Sequence, residues 1–137
     1  MNLVRILLIE DNDGDVLLVR KAFEQNNLIN ELLVAPTANE GLKLLREKRP
    51  EVVLLDLNLP GKSGLEVLEE IKQDEELKRT VVVILTSSPA EKDVLKSYDL
   101  HANLYIVKPL DFNKLIEVVK QIGNLFLGIA TLPSQGT

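Results

Sequence analysis

Acidic side chains follow two apolar runs of the sequence, at the points where those runs end. Glu10 and Asp11 come directly after residues 4–9, and Asp56 comes directly after residues 52–55. Branched and leucyl residues fill both runs, as in strands that are buried on both faces of a parallel sheet. Open α/β sheets bind their ligands at the carboxyl ends of such strands. These three carboxylates are therefore candidates for chemistry.

Two other polar side chains end apolar runs in the same way, the hydroxyl of Thr86 and the ammonium of Lys108. A carboxylate beside a bound cation can attack a phosphoryl group and hold it as an acyl phosphate, while an ammonium and a hydroxyl neutralise the phosphoryl oxygens. Each residue also has a plainer interpretation, in which Asp56 is a turn residue, Thr86 leads into a helix and Lys108 lies on the surface. Their joint occurrence at four strand ends favours the phosphoryl chemistry.

The available ligand atoms determine which cation this site would bind. Carboxylates that converge repel one another strongly unless a cation lies between them. The chain has no cysteine, and its single histidine, His101, lies far along the chain, so the ligands are oxygen atoms. Oxygen suits Mg²⁺, Mn²⁺ or Ca²⁺, and an incomplete cage that leaves positions for phosphate oxygens favours Mg²⁺. We therefore predict Mg²⁺ as the cofactor.

Alternating strands and helices must position these groups. Hydrophobic patterning predicts strands at 4–9, 31–35, 52–55, 80–85 and 104–107. A Ser or Thr with Glu three residues later predicts helix starts at Thr37, Ser63 and Ser88, with Pro89 in the first helical position after Ser88. Asn12 or Asp13 caps the first helix, and Asp111 starts the last one. The fold is predicted to be α/β, with a parallel sheet and helices on both faces, although strand order does not follow from sequence order.

Composition restricts the possible functions. The 137 residues predict one domain without a separate output domain, and 45% hydrophobic content is enough for a core. A net charge of −5 opposes a nucleic-acid partner. No signal peptide is recognisable at the amino end, and its apolar run is too short to span a membrane. We predict a cytoplasmic protein with protein or cation partners.

The residues singled out so far resemble those of response regulator receiver domains in two-component signalling. The resemblance covers about residues 3 to 125, and its motifs are Glu10-Asp11, Asp56 within LLDLNLPGKSG, Thr86 within ILTSS, and YIVKP at 105–109. It implies a flavodoxin-like, doubly wound sheet of five parallel strands in the order 2-1-3-4-5, with five helices. It also implies a histidine kinase as the phosphodonor, self-catalysed phosphoryl transfer and slow autodephosphorylation.

The resemblance also implies a role for each motif residue. Asp56 would be the phosphoacceptor; Glu10 and Asp11 would hold Mg²⁺ together with Asp56 and the backbone carbonyl of Asn58. Thr86 and Tyr105 would form the switch pair, and the Lys108–Pro109 bond would be cis. One departure is Glu10, where many members have Asp. The longer side chain could place its oxygen on a metal-bound water.

The sequences EDNDGD and SYDLHANLYIVKPLD, with the predicted lack of an output domain, are similar to the stand-alone receivers that serve bacteriophytochrome-type histidine kinases. Two other classes stay open. A haloacid-dehalogenase-like phosphatase also uses an aspartate and Mg²⁺, but it has a second Asp where this chain has Asn58. A pseudo-receiver that only binds a partner would lack the acidic pair, the phosphoacceptor or the lysine.

The last residues form a second apolar set beyond the core stripe of the final helix, namely Leu125, Phe126, Leu127, Ile129, Ala130 and Leu132. We assign residues 1–127 to the receiver domain and 128–137 to a C-terminal tail. The apolar set either folds back over its own domain or forms a two-fold homodimer with the last helix and the Tyr105 strand. The homodimer is the favoured interpretation.

Overall fold

A computed structural model describes residues 4–26 and 30–127 of the chain. Strands and helices alternate through these residues, and a π-helical turn at Gly123–Leu127 extends the last helix. The strands are β1 (Val4–Ile9), β2 (Asn30–Ala35), β3 (Val52–Leu55), β4 (Val81–Thr86) and β5 (Leu104–Val107). The helices are α1 (Asp13–Gln25), α2 (Ala38–Lys48), α3 (Gly64–Gln73), α4 (Glu91–Asp99) and α5 (Phe112–Ile122).

The five strands form one parallel sheet in the order β2-β1-β3-β4-β5, as the resemblance implied. The order places β1 beside β3, with Ile9 opposite Leu55. Because both strands run in the same direction, Glu10 and Asp56 leave the sheet at the same edge. The register of β4 and β5, with Thr86 opposite Val107, brings Thr86 and Lys108 to that edge as well.

Two apolar clusters cover the two faces of the sheet. One joins the sheet to α2 and α3, through residues such as Leu45 and Ile71. The other joins it to α1 and α5, through residues such as Phe23 and Val119. The prediction of helices on both faces is therefore confirmed, and burial of the strands from both sides explains their uninterrupted apolar sequence.

Side-chain caps fix where most of the helices begin. Each of four capping side chains accepts a backbone N–H of the first turn, as predicted: Asn12 for α1, Thr37 for α2, Ser63 for α3 and Asp111 for α5. These caps satisfy donors that the first turn of a helix leaves unpaired. They also orient the loops that join the carboxyl ends of the strands to the helices.

The predicted capping box at Ser88 is wrong. Helix α4 begins at Glu91, and its N-cap is Ala90, without a side-chain cap. The Ser88 hydroxyl instead donates to Asp93 Oδ2 at 2.7 Å and accepts the N–H of Ala90 at 3.4 Å. The hydroxyl oxygen thus accepts the N–H of Ala90 and not that of Glu91, as the box would require, and Pro89 lies in the loop before α4 rather than in its first turn.

The predicted cis peptide bond at Lys108–Pro109 is also wrong, because no peptide bond within residues 4–26 and 30–127 is cis. Only the resemblance suggested the cis form. The trans form of a bond before proline is favoured by about 0.5–1 kcal/mol when tertiary contacts do not select the other isomer.

None of the helices in the described part of the chain is long and apolar enough to cross a membrane. At the carboxyl end, the described residues include Leu125, whose surface is 51% exposed. The predicted tail at 128–137, including Ile129, Ala130 and Leu132 of the second apolar set, lies outside the described residues.

Candidate functional site

Three carboxylates meet at the carboxyl edge of β1 and β3. Oxygen atoms of Glu10, Asp11 and Asp56 all lie within 4.8 Å of one another. Backbone hydrogen bonds extend the strand pairing to this point, because the Glu10 N–H donates to the Ala35 carbonyl at 3.0 Å and the Asp56 N–H to the Ile9 carbonyl at 3.1 Å. Glu10 and Asp56 are buried, whereas Asp11 is exposed. The cluster is thus open to solvent on one side.

Burial changes the acidity of Glu10. Loss of water raises the pKa of Glu10 to about 7, although a hydrogen bond from Lys108 and the N–H of Asn12 oppose the increase. A buried carboxylate keeps its negative charge near neutral pH only when enough positive charge lies close to it. The site therefore favours a cation beside Glu10.

Lys108 supplies one such positive charge. Its ammonium forms ion pairs with Glu10, with Asp15 at 2.8 Å and with Asp56 at 3.6 Å. Burial alone would lower the pKa of Lys108, but hydrogen bonds to Asp15 and Glu10 and the nearby charges raise it above its ordinary value. The backbone of Lys108 is fixed to the sheet, because its backbone N–H donates to the backbone carbonyl of Thr86 at 2.7 Å.

The loop after Asp56 contacts its carboxylate once and packs closely against its backbone. Asp56 Oδ1 accepts the N–H of Asn58 at 3.2 Å, and the N–H of Gly64 donates to the Leu57 carbonyl at 3.0 Å. A Cβ atom at Gly64 would lie 2.3 Å from the Asp56 carbonyl oxygen, so only glycine allows α3 to begin there. Gly61 adopts a φ of 77°, in the left-handed region that glycine tolerates.

The predicted switch residues, Thr86 and Tyr105, meet at Ser88. Thr86 is fully buried at the end of β4, and its hydroxyl oxygen lies 3.5 Å from the Ser88 N–H. The Tyr105 hydroxyl donates to the Ser88 carbonyl at 2.7 Å, and the Tyr105 N–H donates to the Tyr98 hydroxyl at 3.0 Å. Burial raises the pKa of Tyr105 above its ordinary value. These bonds connect the carboxyl edge to α4.

The sequence profile of the response regulator receiver domain matches residues 6–120 of the chain. The chain belongs to the response regulator receiver family. It is a receiver-domain response regulator, and members of this family are phosphorylated by histidine kinases and bind a divalent metal ion. The haloacid-dehalogenase-like phosphatase and the pseudo-receiver are not favoured.

Individual relatives resemble the chain over nearly its whole length. Response regulator Rcp1 of Synechocystis sp. is 40% identical over 136 residues, covering 94% of this chain and 92% of Rcp1. The crystal structure of the phosphorylated cyanobacterial phytochrome response regulator RcpA is 41% identical, with a TM-score of 0.89 over 96% of this chain and 99% of RcpA. The Mn²⁺-bound form of Rcp1 is 39% identical, with a TM-score of 0.85 over 95% of this chain and 99% of that one.

The acidic cluster of this receiver fits a divalent metal by its donor chemistry. The cluster offers carboxylate oxygens, which hard divalent cations prefer, and its exposed side leaves positions for further oxygen ligands. The structure brings together the side chains of four residues predicted for the phosphoryl chemistry, Glu10, Asp11, Asp56 and Lys108. Thr86 ends β4 at the same edge of the sheet, and its carbonyl accepts the backbone N–H of Lys108. The proposed role of the Asn58 carbonyl as a ligand stays a prediction.

Sequence reasoning missed Asp15, which is the second hydrogen-bonded acid on Lys108. Asp15 lies in the first turn of α1, where an acid is also expected from the helix dipole alone. Asp11 lies before the N-cap Asn12 and outside the helix, so no helical spacing connects it with Asp15, and the contact of Asp15 with Lys108 has no signal in the local sequence.

Proposed function

We propose that Asp56 accepts the phosphoryl group. The observation that carries this assignment is the position of Asp56 between the acidic cluster and Lys108, whose ammonium lies 3.6 Å from its carboxylate. Asp56 ends β3, the strand between β1 and β4, so its neighbours on both sides supply groups to the same point. Such a carboxylate is surrounded by the charges that an acyl phosphate requires.

In the proposed reaction, a carboxylate oxygen of Asp56 attacks the phosphorus of the phosphodonor. A new O–P bond forms while the bond from phosphorus to the leaving group breaks, and its electron pair departs with the leaving group. Lys108 neutralises phosphoryl oxygens, and the hydroxyl of Thr86 donates to one of them in the product. Glu10, Asp11 and Asp56 would hold a divalent cation, which would supply the remaining charge neutralisation.

We propose Mg²⁺ as that cation, with the Asn58 carbonyl as a further ligand. Mg²⁺ keeps several waters and binds through a few protein oxygens together with phosphate oxygens, which suits an open carboxylate cluster. Without a cation, the phosphodonor would meet three carboxylates and be repelled. Excess chelator is therefore expected to abolish phosphorylation, and Asp11→Ala to reproduce that loss in the presence of Mg²⁺.

The deciding experiment is incubation with Mg²⁺ and a small phosphodonor, followed by intact mass measurement. Wild type is expected to gain one phosphoryl group and Asp56→Asn none. Asp99→Asn is the matched control, because Asp99 is an exposed aspartate at the end of α4. Phosphate uptake by Asp56→Asn at the wild-type rate would refute the assignment, and rapid multiple turnover would indicate a phosphatase.

We further propose that a phytochrome-type histidine kinase is the physiological donor, in the cytoplasm. The support is the similarity to RcpA and Rcp1, the first of which is described as a phytochrome response regulator. Phosphotransfer from a phytochrome-type kinase should be faster than from unrelated kinases at equal concentration. Equal rates from all kinases tested would count against this partner. The phosphorylated receiver would then change conformation and signal to a protein partner.

We propose that residues 1–127 form the receiver unit and that its carboxyl end, with the tail at 128–137, supports a two-fold homodimer. Leu125 supports this interpretation because an exposed leucine beside the last helix is suited to a self-complementary patch. Sedimentation should show a dimer for wild type and a monomer for Leu125→Asp. Leu17→Asp is the control, since Leu17 is equally exposed but lies near the start of α1. A monomeric wild type at tens of micromolar, with and without phosphodonor, would remove the dimer.

A further inference from the structure

Lys108 is shared between acids that have different tasks. Two of its three N–H donors are used in hydrogen bonds to Glu10 and Asp15, and Asp56 lies at ion-pair distance. Glu10 and Asp56 also belong to the cluster that would bind the cation, whereas Asp15 does not. Asp15 is therefore the only one of these three acids that can serve Lys108 alone.

The position of Asp15 is fixed by the start of α1. Its backbone N–H donates to the capping side chain of Asn12 at 2.9 Å, and its carboxylate is only 37% exposed at the rim of the site. Lysine has a long side chain with many rotamers, and ordering it costs conformational entropy before any interaction with phosphate. A fixed carboxylate 2.8 Å from the ammonium reduces that freedom.

We propose that Asp15 is a positioning residue for phosphoryl transfer, which holds the Lys108 ammonium beside the incoming phosphoryl group. This inference rests on the proposed function of Asp56. With Glu10 and Asp56 engaged by a cation and the phosphoryl group, the Asp15 contact would keep the ammonium at the mouth of the site. Asp15 touches neither phosphorus nor the attacking oxygen, and it acts through Lys108.

The test compares the rate of phosphate uptake from a small phosphodonor in Asp15→Asn and Asp13→Asn, at saturating Mg²⁺. Both substitutions remove one negative charge from the first turn of α1, so they alter the helix dipole and the attraction of an anionic donor alike. Asp13 forms no ion pair or side-chain hydrogen bond with the residues that the structure describes. We expect Asp13→Asn to match wild type and Asp15→Asn to be slower by about three- to tenfold.

A double-mutant cycle separates positioning from a general structural effect. In a Lys108→Gln background, Asp15→Asn is expected to change the uptake rate no further, because the residue through which it acts has been removed. A folding defect would slow uptake by the same factor in both backgrounds. Asp15→Glu, which keeps the charge, is expected to recover most of the wild-type rate.

Two results would overturn the inference while leaving the proposed function intact. One is equal uptake by Asp15→Asn and Asp13→Asn. The other is an undiminished effect of Asp15→Asn in the Lys108→Gln background. Failure of wild type to gain any phosphoryl group would instead overturn the proposed function, and the positioning role with it.

Discussion

The hydroxyl of Tyr105 donates a hydrogen bond of 2.7 Å to the backbone carbonyl of Ser88. The N–H of the same serine lies 3.5 Å from the hydroxyl oxygen of Thr86. Ser88 also holds Asp93 of α4 through its side chain. One residue thus connects the buried hydroxyl at the active edge with the tyrosine of β5 and the first turn of α4. A shift of Thr86 towards a phosphoryl oxygen would therefore be transmitted through Ser88 to Tyr105 and to α4.

Thr86→Ala is expected to leave phosphate uptake nearly intact and to uncouple it from α4 and β5. The hydroxyl that would follow the phosphoryl group is then missing, and coupling of this kind is typically worth about 1–3 kcal/mol. Amide chemical shifts of α4 and β5 should change on phosphorylation in wild type but not in Thr86→Ala. Thr86→Ser keeps the hydroxyl and should retain the change. Identical spectral changes in wild type and Thr86→Ala would contradict this coupling.

Tyr105→Phe is expected to move the aromatic ring at position 105 away from the Ser88 carbonyl, because the phenylalanine ring has no hydroxyl to donate. The lost hydrogen bond is worth about 1 kcal/mol, which changes the balance between two ring positions by roughly fivefold. The carbonyl carbon shift of Ser88 should report the loss directly. Tyr98→Phe is the control, because Tyr98 contributes its hydroxyl to the Tyr105 N–H and not to Ser88. Equal effects of the two substitutions at Ser88 would argue against the contact.

Gly64→Ala should damage both stability and phosphate uptake. The new Cβ would lie 2.3 Å from the Asp56 carbonyl oxygen and 2.6 Å from Leu57 Cα, so the backbone that carries Asp56 must move. We expect a loss of about 1–3 kcal/mol in the free energy of unfolding, measured by urea denaturation. Gly61→Ala is the comparison, because a Cβ there meets nothing within 4 Å and only its positive φ is unfavourable. Its cost should be about 1 kcal/mol, with uptake unchanged.

Lys72→Met should destabilise the protein at the edge opposite the active site. The Lys72 ammonium donates to the Thr80 carbonyl at 2.8 Å and to Asn103 Oδ1 at 3.2 Å. Without it these acceptors lose their charged donor, at a cost of about 1–3 kcal/mol in the free energy of unfolding. Lys92→Met, at an exposed position of α4, should change that free energy by less than about 0.5 kcal/mol. Similar values for both variants would show that the contacts contribute little.

The contribution of Lys72 should also depend on pH. Burial lowers the pKa of Lys72 in the folded protein, so the unfolded chain binds this proton more strongly. The free energy of unfolding of wild type, relative to Lys72→Met, should therefore increase as the pH rises from the folded pKa towards the ordinary value of 10.5. Urea denaturation of both proteins between neutral and alkaline pH measures this difference. A difference that decreases over that interval would contradict the sign.

The strands and helices could be predicted from the sequence because burial on both faces leaves a strong local pattern. The bounds of β1, β3 and β5 agree with the apolar runs from which they were predicted. The strand order could not be predicted in the same way, because apolar runs of similar composition do not specify which strands are neighbours in the sheet. It came from the resemblance alone, and the structure confirms it.

The site residues that follow directly after strands could be predicted from the sequence. Contacts between side chains that are distant in the sequence could not. Asp15 and Lys108 are 93 positions apart in the sequence, so their contact left no local signal. Ser88 has the sequence of a capping residue, but Asp93 and Tyr105 use its hydroxyl and carbonyl instead. At Asp15 there was no local preference to recognise, whereas at Ser88 other contacts override the local capping preference.

β5 is the last strand of the sheet, so within residues 4–26 and 30–127 no strand lies beside the backbone edge of β5 that faces away from β4. Tyr98 places its hydroxyl oxygen on the Tyr105 N–H at that open side. Unpaired N–H groups on an edge strand are where a foreign strand can attach and start aggregation. An arriving strand would have to displace the tyrosine of the protein's own helix first. At this N–H, α4 thus protects the edge of the sheet against the addition of a strand from another molecule.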